Sequence, residues 1–167
     1  MPKLIQCCEL HVILSAEQAV GLVGKPMRVL PTRSVQAGLA AMIGYDPEAP
    51  ASENEYAMAN ALKGLATGEI TIASRDVTLD GIEVRKGAWL GLADGAAVAS
   101  GQSFDSVAGA VAERLLDGGR EILTLLTGAD EPQLEALVSE IGARHPEVEI
   151  ETHAGGQPHY PLLLSAE

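Results

Sequence analysis

His153, Gln157 and Tyr160 fall within one stretch, His153-Ala154-Gly155-Gly156-Gln157-Pro158-His159-Tyr160-Pro161, which runs into the apolar residues Leu162-Leu163-Leu164. An imidazole that titrates near neutral pH, a carboxamide and a phenol are groups that move protons or hold a polar ligand. The glycine pair admits positive φ and close backbone approach, while the prolines oppose helix. The polar groups are therefore presented from a stiff loop at a sheet edge. His153 reads either as an acid or base or as a buried or capping side chain, and the sequence assigns it no Ser, Cys or carboxylate partner. His159 reads as solvated. Tyr160 reads as an interface anchor or as a half-buried strand residue.

A second loop with chemical potential is Pro31-Thr32-Arg33-Ser34, between the apolar strand Met27-Arg28-Val29-Leu30 and a helix from Val35 to Ile43. Ser34 or Thr32 suits an N-cap. The free amides of such a helix start, with Arg33 beside them, would attract a phosphate or carboxylate; a capped helix with a solvated arginine is the alternative. Ser34 lacks the Gly-x-Ser-x-Gly elbow of a hydrolase nucleophile, so a hydrolase built on His153 and Ser34 is the weakest functional reading. Arg75-Asp76, ahead of the Asp80-Gly81 turn, is either an exposed pair that docks a partner or carboxylate, or a local ion pair tying a hairpin to a sheet. Cys7 and Cys8 are adjacent, which disfavours a disulfide between them and lacks the separated pairs of a zinc site. With His11 they touch a metal or, alone, act as small apolar residues on a strand. No catalytic residue, cofactor or metal is expected.

The elements that must position these residues follow from periodicity. A strand from Lys3 to Cys7, a helix from Leu14 to Val23, the strand Met27 to Leu30 and the helix Val35 to Ile43 make a βαβα pattern, which predicts parallel pairing. Asp46-Pro47-Glu48-Ala49-Pro50-Ala51-Ser52 is an acidic, proline-rich connector, and Ser52 with Glu55 predicts a capping box for a helix reaching about Ala66, its apolar side made of Tyr56, Met58, Ala59, Leu62 and Leu65. From Gly68 the period changes to two, with turns at Asp80-Gly81 and Asp94-Gly95. A helix from Ser103 to Leu116, an apolar central strand from Ile122 to Thr127, a helix from Glu131 to Arg144 and strands Val148 to Thr152 and Tyr160 to Ser165 complete the chain.

The 167 residues are 47% hydrophobic, enough for a core, but only 3% aromatic. That core must use Leu, Val, Ile and Ala, and the abundance of Ala and Gly predicts close helix-to-sheet packing. A net charge of −12, from 11 Lys and Arg against 23 Asp and Glu, argues against nucleic acid and anionic membrane surfaces. Without a leader pattern or an apolar run of membrane length, a cytoplasmic protein with no membrane insertion is expected.

The run Val29-Leu30-Pro31-Thr32-Arg33-Ser34-Val35-Gln36-Ala37-Gly38-Leu39-Ala40-Ala41, then Tyr45-Asp46-Pro47, resembles the C-terminal domain of the ATP-binding subunit of bacterial fatty acid kinase, which is of the dihydroxyacetone-kinase-like family. Thr67-Gly68-Glu69-Ile70-Thr71, Arg75-Asp76-Val77-Thr78-Leu79-Asp80-Gly81, Lys86-Gly87 and Gly155-Gly156-Gln157-Pro158 with Tyr160 follow in order. The chain departs from the family's Pro-Asn-x-x-Asn phrase, having Gln6-Cys7-Cys8-Glu9-Leu10-His11 instead.

The resemblance implies an α/β, DegV-like fold: a partial βαβα parallel unit in residues 1–46, its first half truncated, then an α+β part in residues 47–167 with a mixed, largely antiparallel sheet and flanking helices, together one compact unit. It also implies a non-catalytic binding and assembly domain that docks a separate DegV-like fatty-acid-binding protein, whose acyl carboxylate another domain phosphorylates. Direct binding of a fatty acid is the alternative. No Gly-rich phosphate loop or paired-Asp magnesium site occurs, so the chain is not expected to be an enzyme by itself. Thr32, Arg33, Ser34, Arg75, Asp76, His153, Gln157 and Tyr160 are the expected partner- or ligand-binding residues. An incomplete sheet with an exposed edge also allows a homodimer.

Overall fold

The computed structural model describes residues 3–6, 10–25 and 27–167, so Cys7 and Cys8, and the side chain of His11, lie outside the described residues. Residue spacing turns from helical to alternating near Ala66, and the chain divides there into two units, Met1–Leu65 and Ala66–Glu167. The division falls after the helix that follows the proline-rich connector, not at residue 46, because that helix packs on elements before the connector.

In the first unit β1 (Lys3–Gln6) and β2 (Met27–Leu30) pair in parallel across α1 (Leu10–Val20), as the βαβ spacing requires. The helix stops at Gly21 rather than reaching Val23. α2 (Val35–Met42) is capped by Ser34, whose Oγ accepts the Ala37 amide at 3.1 Å. The expected capping box is absent: α3 (Ala51–Ala61) starts after Pro50 with no side-chain cap, and Ser52 already lies inside the helix. Asn54 holds this entry instead. Its Oδ1 accepts the Asp46 amide at 2.7 Å, and its Nδ2 donates to the carbonyls of Asp46 at 2.7 Å and Ala49 at 3.2 Å. These bonds satisfy the buried carboxamide and pin the connector to the helix. Met58 and Leu62 pack on Leu30 and Ala41, whereas Tyr56 and Ala59, expected on the apolar side, face outward.

The second unit is a six-stranded sheet ordered β7-β6-β3-β10-β8-β9. Its strands are β3 (Ala66–Ile72), β6 (Trp89–Ala93), β7 (Ala96–Gly101), β8 (Ile122–Thr127), β9 (Glu149–Ala154) and β10 (Leu162–Ala166). Only β8 and β9 run parallel; every other pair is antiparallel. The strand expected to be central, β8, is interior, but the sheet's last strand in sequence, β10, lies between it and β3.

On one face lie α4 (Phe104–Leu116) and α5 (Glu135–Arg144). A Cβ on Gly91 would come within 2.5 Å of Val111, so the small residue lets α4 sit directly on β6. α5 begins four residues later than the sequence suggested, because Pro132 disfavours helix at Glu131, which takes a φ of +41°. On the other face β4 (Val77–Leu79) and β5 (Ile82–Val84) fold a hairpin over Leu90, Leu92 and Ala97. Its turn, Asp80-Gly81, has φ of +50° and +85°, the doubly positive pattern that matches strand twist. Among the described residues no helix is long and apolar enough to cross a membrane.

An ionic clamp fastens the two helices of that layer. Glu113 of α4 accepts from His145 Nε2 at 2.9 Å and from Arg144 Nη1 at 3.0 Å, both at the end of α5, and Arg144 also binds Glu140. The His145 hydrogen bond, opposed by partial burial and reinforced by Arg144, holds the Glu113 carboxyl below its ordinary value. A lowered carboxyl stabilises the fold at pH above its unfolded value, about 4.3, and that contribution is lost as pH falls through the lowered one. Urea titrations across about pH 3 to 6 should therefore show Glu113→Gln less stable than wild type at the upper end, with the two converging at the lower.

Candidate functional site

The register of the second unit brings the segment that carries Gln157 and Tyr160 to one end of the sheet. Leu162 opens β10 opposite Ile70, near the end of β3, and also opposite Thr127, the last residue of β8. Thr127 is in turn level with Ala154, the last residue of β9. The segment 155–161 and the residues just beyond Ile72 therefore meet at this end.

Backbone bonds make segment 155–161 a bracket. The amides of Gly155 and Gly156 donate to the Thr127 carbonyl at 2.9 and 3.0 Å, Gly128 donates to Pro161 at 2.8 Å, and Ala129 donates to Gln157 at 3.1 Å. Gln157 closes it from within: Nε2 donates to the carbonyls of Leu126 at 3.1 Å and Tyr160 at 3.0 Å. Two carbonyl acceptors fix the orientation of the amide, since the flipped form would face oxygen with oxygen. Its Oε1 is left buried without a hydrogen-bond partner among the described residues. Gly128 is required here because any Cβ would collide with the Tyr160 carbonyl. The Thr71 hydroxyl completes the bracket, donating to the His159 carbonyl at 3.2 Å.

The candidates separate around this bracket. Gln157 is a structural tie. Tyr160 stands on the bracket, 37% exposed, and His159 is exposed at a φ of +71°. His153 lies on the edge strand β9, exposed rather than buried or capping, because residue parity sends it to the same side as Glu151, whose carboxylate is 3.4 Å away. Arg75 is exposed. The tie expected from an Arg75–Asp76 ion pair comes instead from Asp76 alone, whose Oδ1 accepts the Lys86 amide at 2.7 Å. An open cleft of about 440 Å³ lies over the hairpin, lined by Asp76, Val77, Thr78, Glu83, Val84 and Arg85.

The remaining candidates belong to the first unit. Thr32 and Ser34 are buried, and Ser34 is engaged as the α2 cap, while Arg33 between them is exposed. A hydroxyl that caps a helix from a buried position is poorly placed as a nucleophile.

Sequence reasoning passed over Glu69. Alternation places it on the sheet face away from α4 and α5, level with Leu92 on one side and Leu163 on the other. Desolvation there pushes its carboxyl up. The signal was available in Gly68-Glu69-Ile70, where an acid interrupts an apolar strand. His153 is three strands away, roughly 14 Å at the usual spacing, so the two do not form an acid–base pair. Among the described residues no group of three or more His, Cys, Asp and Glu could hold a metal ion.

Comparison with known proteins adds to this geometry. A model of the FakA-like C-terminal family, the C-terminal region of fatty acid kinase FakA and its relatives, matches residues 9–167. An uncharacterized protein of Staphylococcus haemolyticus is 36% identical over 160 residues, and one of Staphylococcus aureus 33% over 159; each alignment covers 94% of this chain and 29% of the relative. The chain thus spans less than a third of the length of these relatives. Among solved structures, a DegV family protein from Thermus thermophilus, described by its fatty acid binding, superposes with a TM-score of 0.55 at 15% identity, covering 93% of this chain and 66% of that one. A fatty acid binding DegV family protein from Streptococcus agalactiae gives 0.52 at 11% identity, covering 99% and 70%. At such identities the likeness is one of fold: the chain has the DegV-like α/β architecture.

Two substitutions test the assignments. Gln157→Ala strips the donor from two carbonyls and should cost about 1–3 kcal/mol in denaturant melts. Glu69→Gln should act in the opposite direction, because a raised carboxyl contributes stability below its unfolded value and loses it as pH rises. Its gain over wild type should appear near pH 7 and vanish below about pH 4 in thermal melts.

Proposed function

Because the chain belongs to the FakA-like C-terminal family of fatty acid kinase, we propose that it is a non-catalytic binding and assembly domain that docks a DegV-like fatty-acid-binding protein in the cytoplasm. A separate kinase domain then phosphorylates the acyl carboxylate carried by that partner. The observation that carries the reading is the bracket at the sheet end, which fixes the backbone of the segment that bears exposed Tyr160.

Rigidity favours recognition, since a preformed surface loses little conformational entropy on association. Tyr160 offers a flat apolar ring with a polar tip, and Arg75 a fork suited to a carboxylate or a backbone carbonyl on the partner. The neighbouring cleft is lined by Asp76, Thr78, Glu83 and Arg85, side chains that suit a polar protein surface better than an acyl tail, which needs deep apolar walls. Thr32 and Ser34 stand outside the proposed surface because they are buried in forming the α2 start.

Calorimetric titration of the chain with a purified DegV-like fatty-acid-binding protein tests this directly. Arg75→Ala and Tyr160→Ala should each weaken binding about tenfold or more, a loss of at least ~1.4 kcal/mol, with unchanged circular dichroism. Wild-type affinity in both variants would remove the basis for the surface, and a bound acyl chain in native mass spectra of the chain alone would replace docking with direct lipid binding.

A further inference from the structure

Glu69 sits in the middle of β3, level with Leu92 of β6 on one side and Leu163 of β10 on the other, on the sheet face away from α4 and α5. Leu163 is 2% exposed and Leu92 packs against the hairpin of β4 and β5, so the carboxylate stands half-buried between apolar neighbours. Nearby acids are engaged. Asp94 Oδ1 accepts the Thr67 amide at 2.9 Å, Asp80 Oδ2 the Ala97 amide at 2.7 Å and Asp76 Oδ1 the Lys86 amide at 2.7 Å. The Glu69 carboxylate has no ion-pair or hydrogen-bond partner among the described residues, and desolvation is what pushes it up.

A carboxylate drawn out of water costs free energy unless a cation or donor meets it. An uncharged residue would serve the sheet better at this point, and a local rule broken at a cost in stability is expected at a functional position. The position also adjoins the bracket. Thr71, two residues further along β3 and on the same face, donates its hydroxyl to the His159 carbonyl at 3.2 Å. One strand repeat, about 7 Å, thus separates Glu69 from the residue that touches the segment bearing Tyr160. A lysine or arginine suits such a place, because its methylene stem packs on leucine while its charged head meets the carboxylate. We propose that Glu69 receives a lysine or arginine side chain of the docked DegV-like fatty-acid-binding protein, an anchor that deepens the docking reading and rests on it.

Calorimetric titration of the chain with a purified DegV-like fatty-acid-binding protein, repeated in buffers of different ionisation enthalpy, tests the anchor. Capture of a cation ionises a carboxyl that is partly protonated when free. Wild type should therefore release more protons on binding than Glu69→Gln at about pH 5, and the difference should vanish at about pH 8. Glu69→Gln keeps the shape of the side chain and should bind about tenfold more weakly or worse, although it melts above wild type near pH 7. Glu69→Lys, which sets like charges together, should weaken binding further. A Glu69→Gln chain that binds like wild type, or releases the same protons, overturns the proposal, and docking is then judged by Arg75→Ala and Tyr160→Ala alone. Weak binding by a Glu69→Gln chain that melts below wild type also overturns it, since Glu69 would then act on the fold. A wild type that does not bind at all removes docking and anchor together.

Discussion

The second unit depends on one insertion: β10, the last strand of the chain, lies between β3 and β8 and is hydrogen-bonded to both. Leu162, Leu163 and Leu164 are at most 2% exposed, so this short strand is buried on both faces. Without it the sheet would separate into a three-stranded β7-β6-β3 part and a parallel β8-β9 pair. Burying the three leucines at one place stabilises the fold by several kcal/mol. The pairing of Leu162 with Ile70 spans most of the unit's sequence, so the sheet closes only when its far ends meet.

The same insertion creates the proposed docking end. Because β9 runs parallel to β8 while β10 returns antiparallel, the chain must turn through residues 155–161 over the tip of β8. That tight return leaves carbonyls of Leu126, Thr127, Tyr160 and Pro161 needing donors, and the amides of Gly128, Gly155 and Gly156 with the Gln157 carboxamide supply them. Stability and presentation are thus coupled: the residue that looks most polar in the loop, Gln157, holds its neighbours in place, while Tyr160, Arg75 and His153 are left exposed.

Much of this was legible in the sequence. Alternation after Gly68, the Asp-Gly turns and the apolar run Ile122 to Thr127 pointed to strands of the second unit, and the Asp-Gly turns were read from chemistry that only a positive φ explains. Ser34 was recognisable as a cap because its hydroxyl needs only a local amide. Local patterns misled where a longer-range partner intervened. Ser52 and Glu55 match a capping box, yet Asn54 secures the entry of α3 by reaching back to Asp46 and Ala49. Glu131 begins an apparent helical pattern, yet Pro132 delays α5 to Glu135.

By itself the sequence determined the element types, the parallel start, the antiparallel hairpins and the family, since each rests on spacing and on ordered short motifs. Tertiary structure alone decided which polar residues are exposed and which are ties. It buried Thr32, engaged Asp76 with the Lys86 amide, enclosed Gln157 and turned His153 outward on an edge strand. It also raised the Glu69 carboxyl and turned the large side chains of α2 outward. The physical reason is that a side chain's chemistry is carried in its type, whereas its exposure and partners come from segments distant along the chain, and strand order and register determine which of those segments meet.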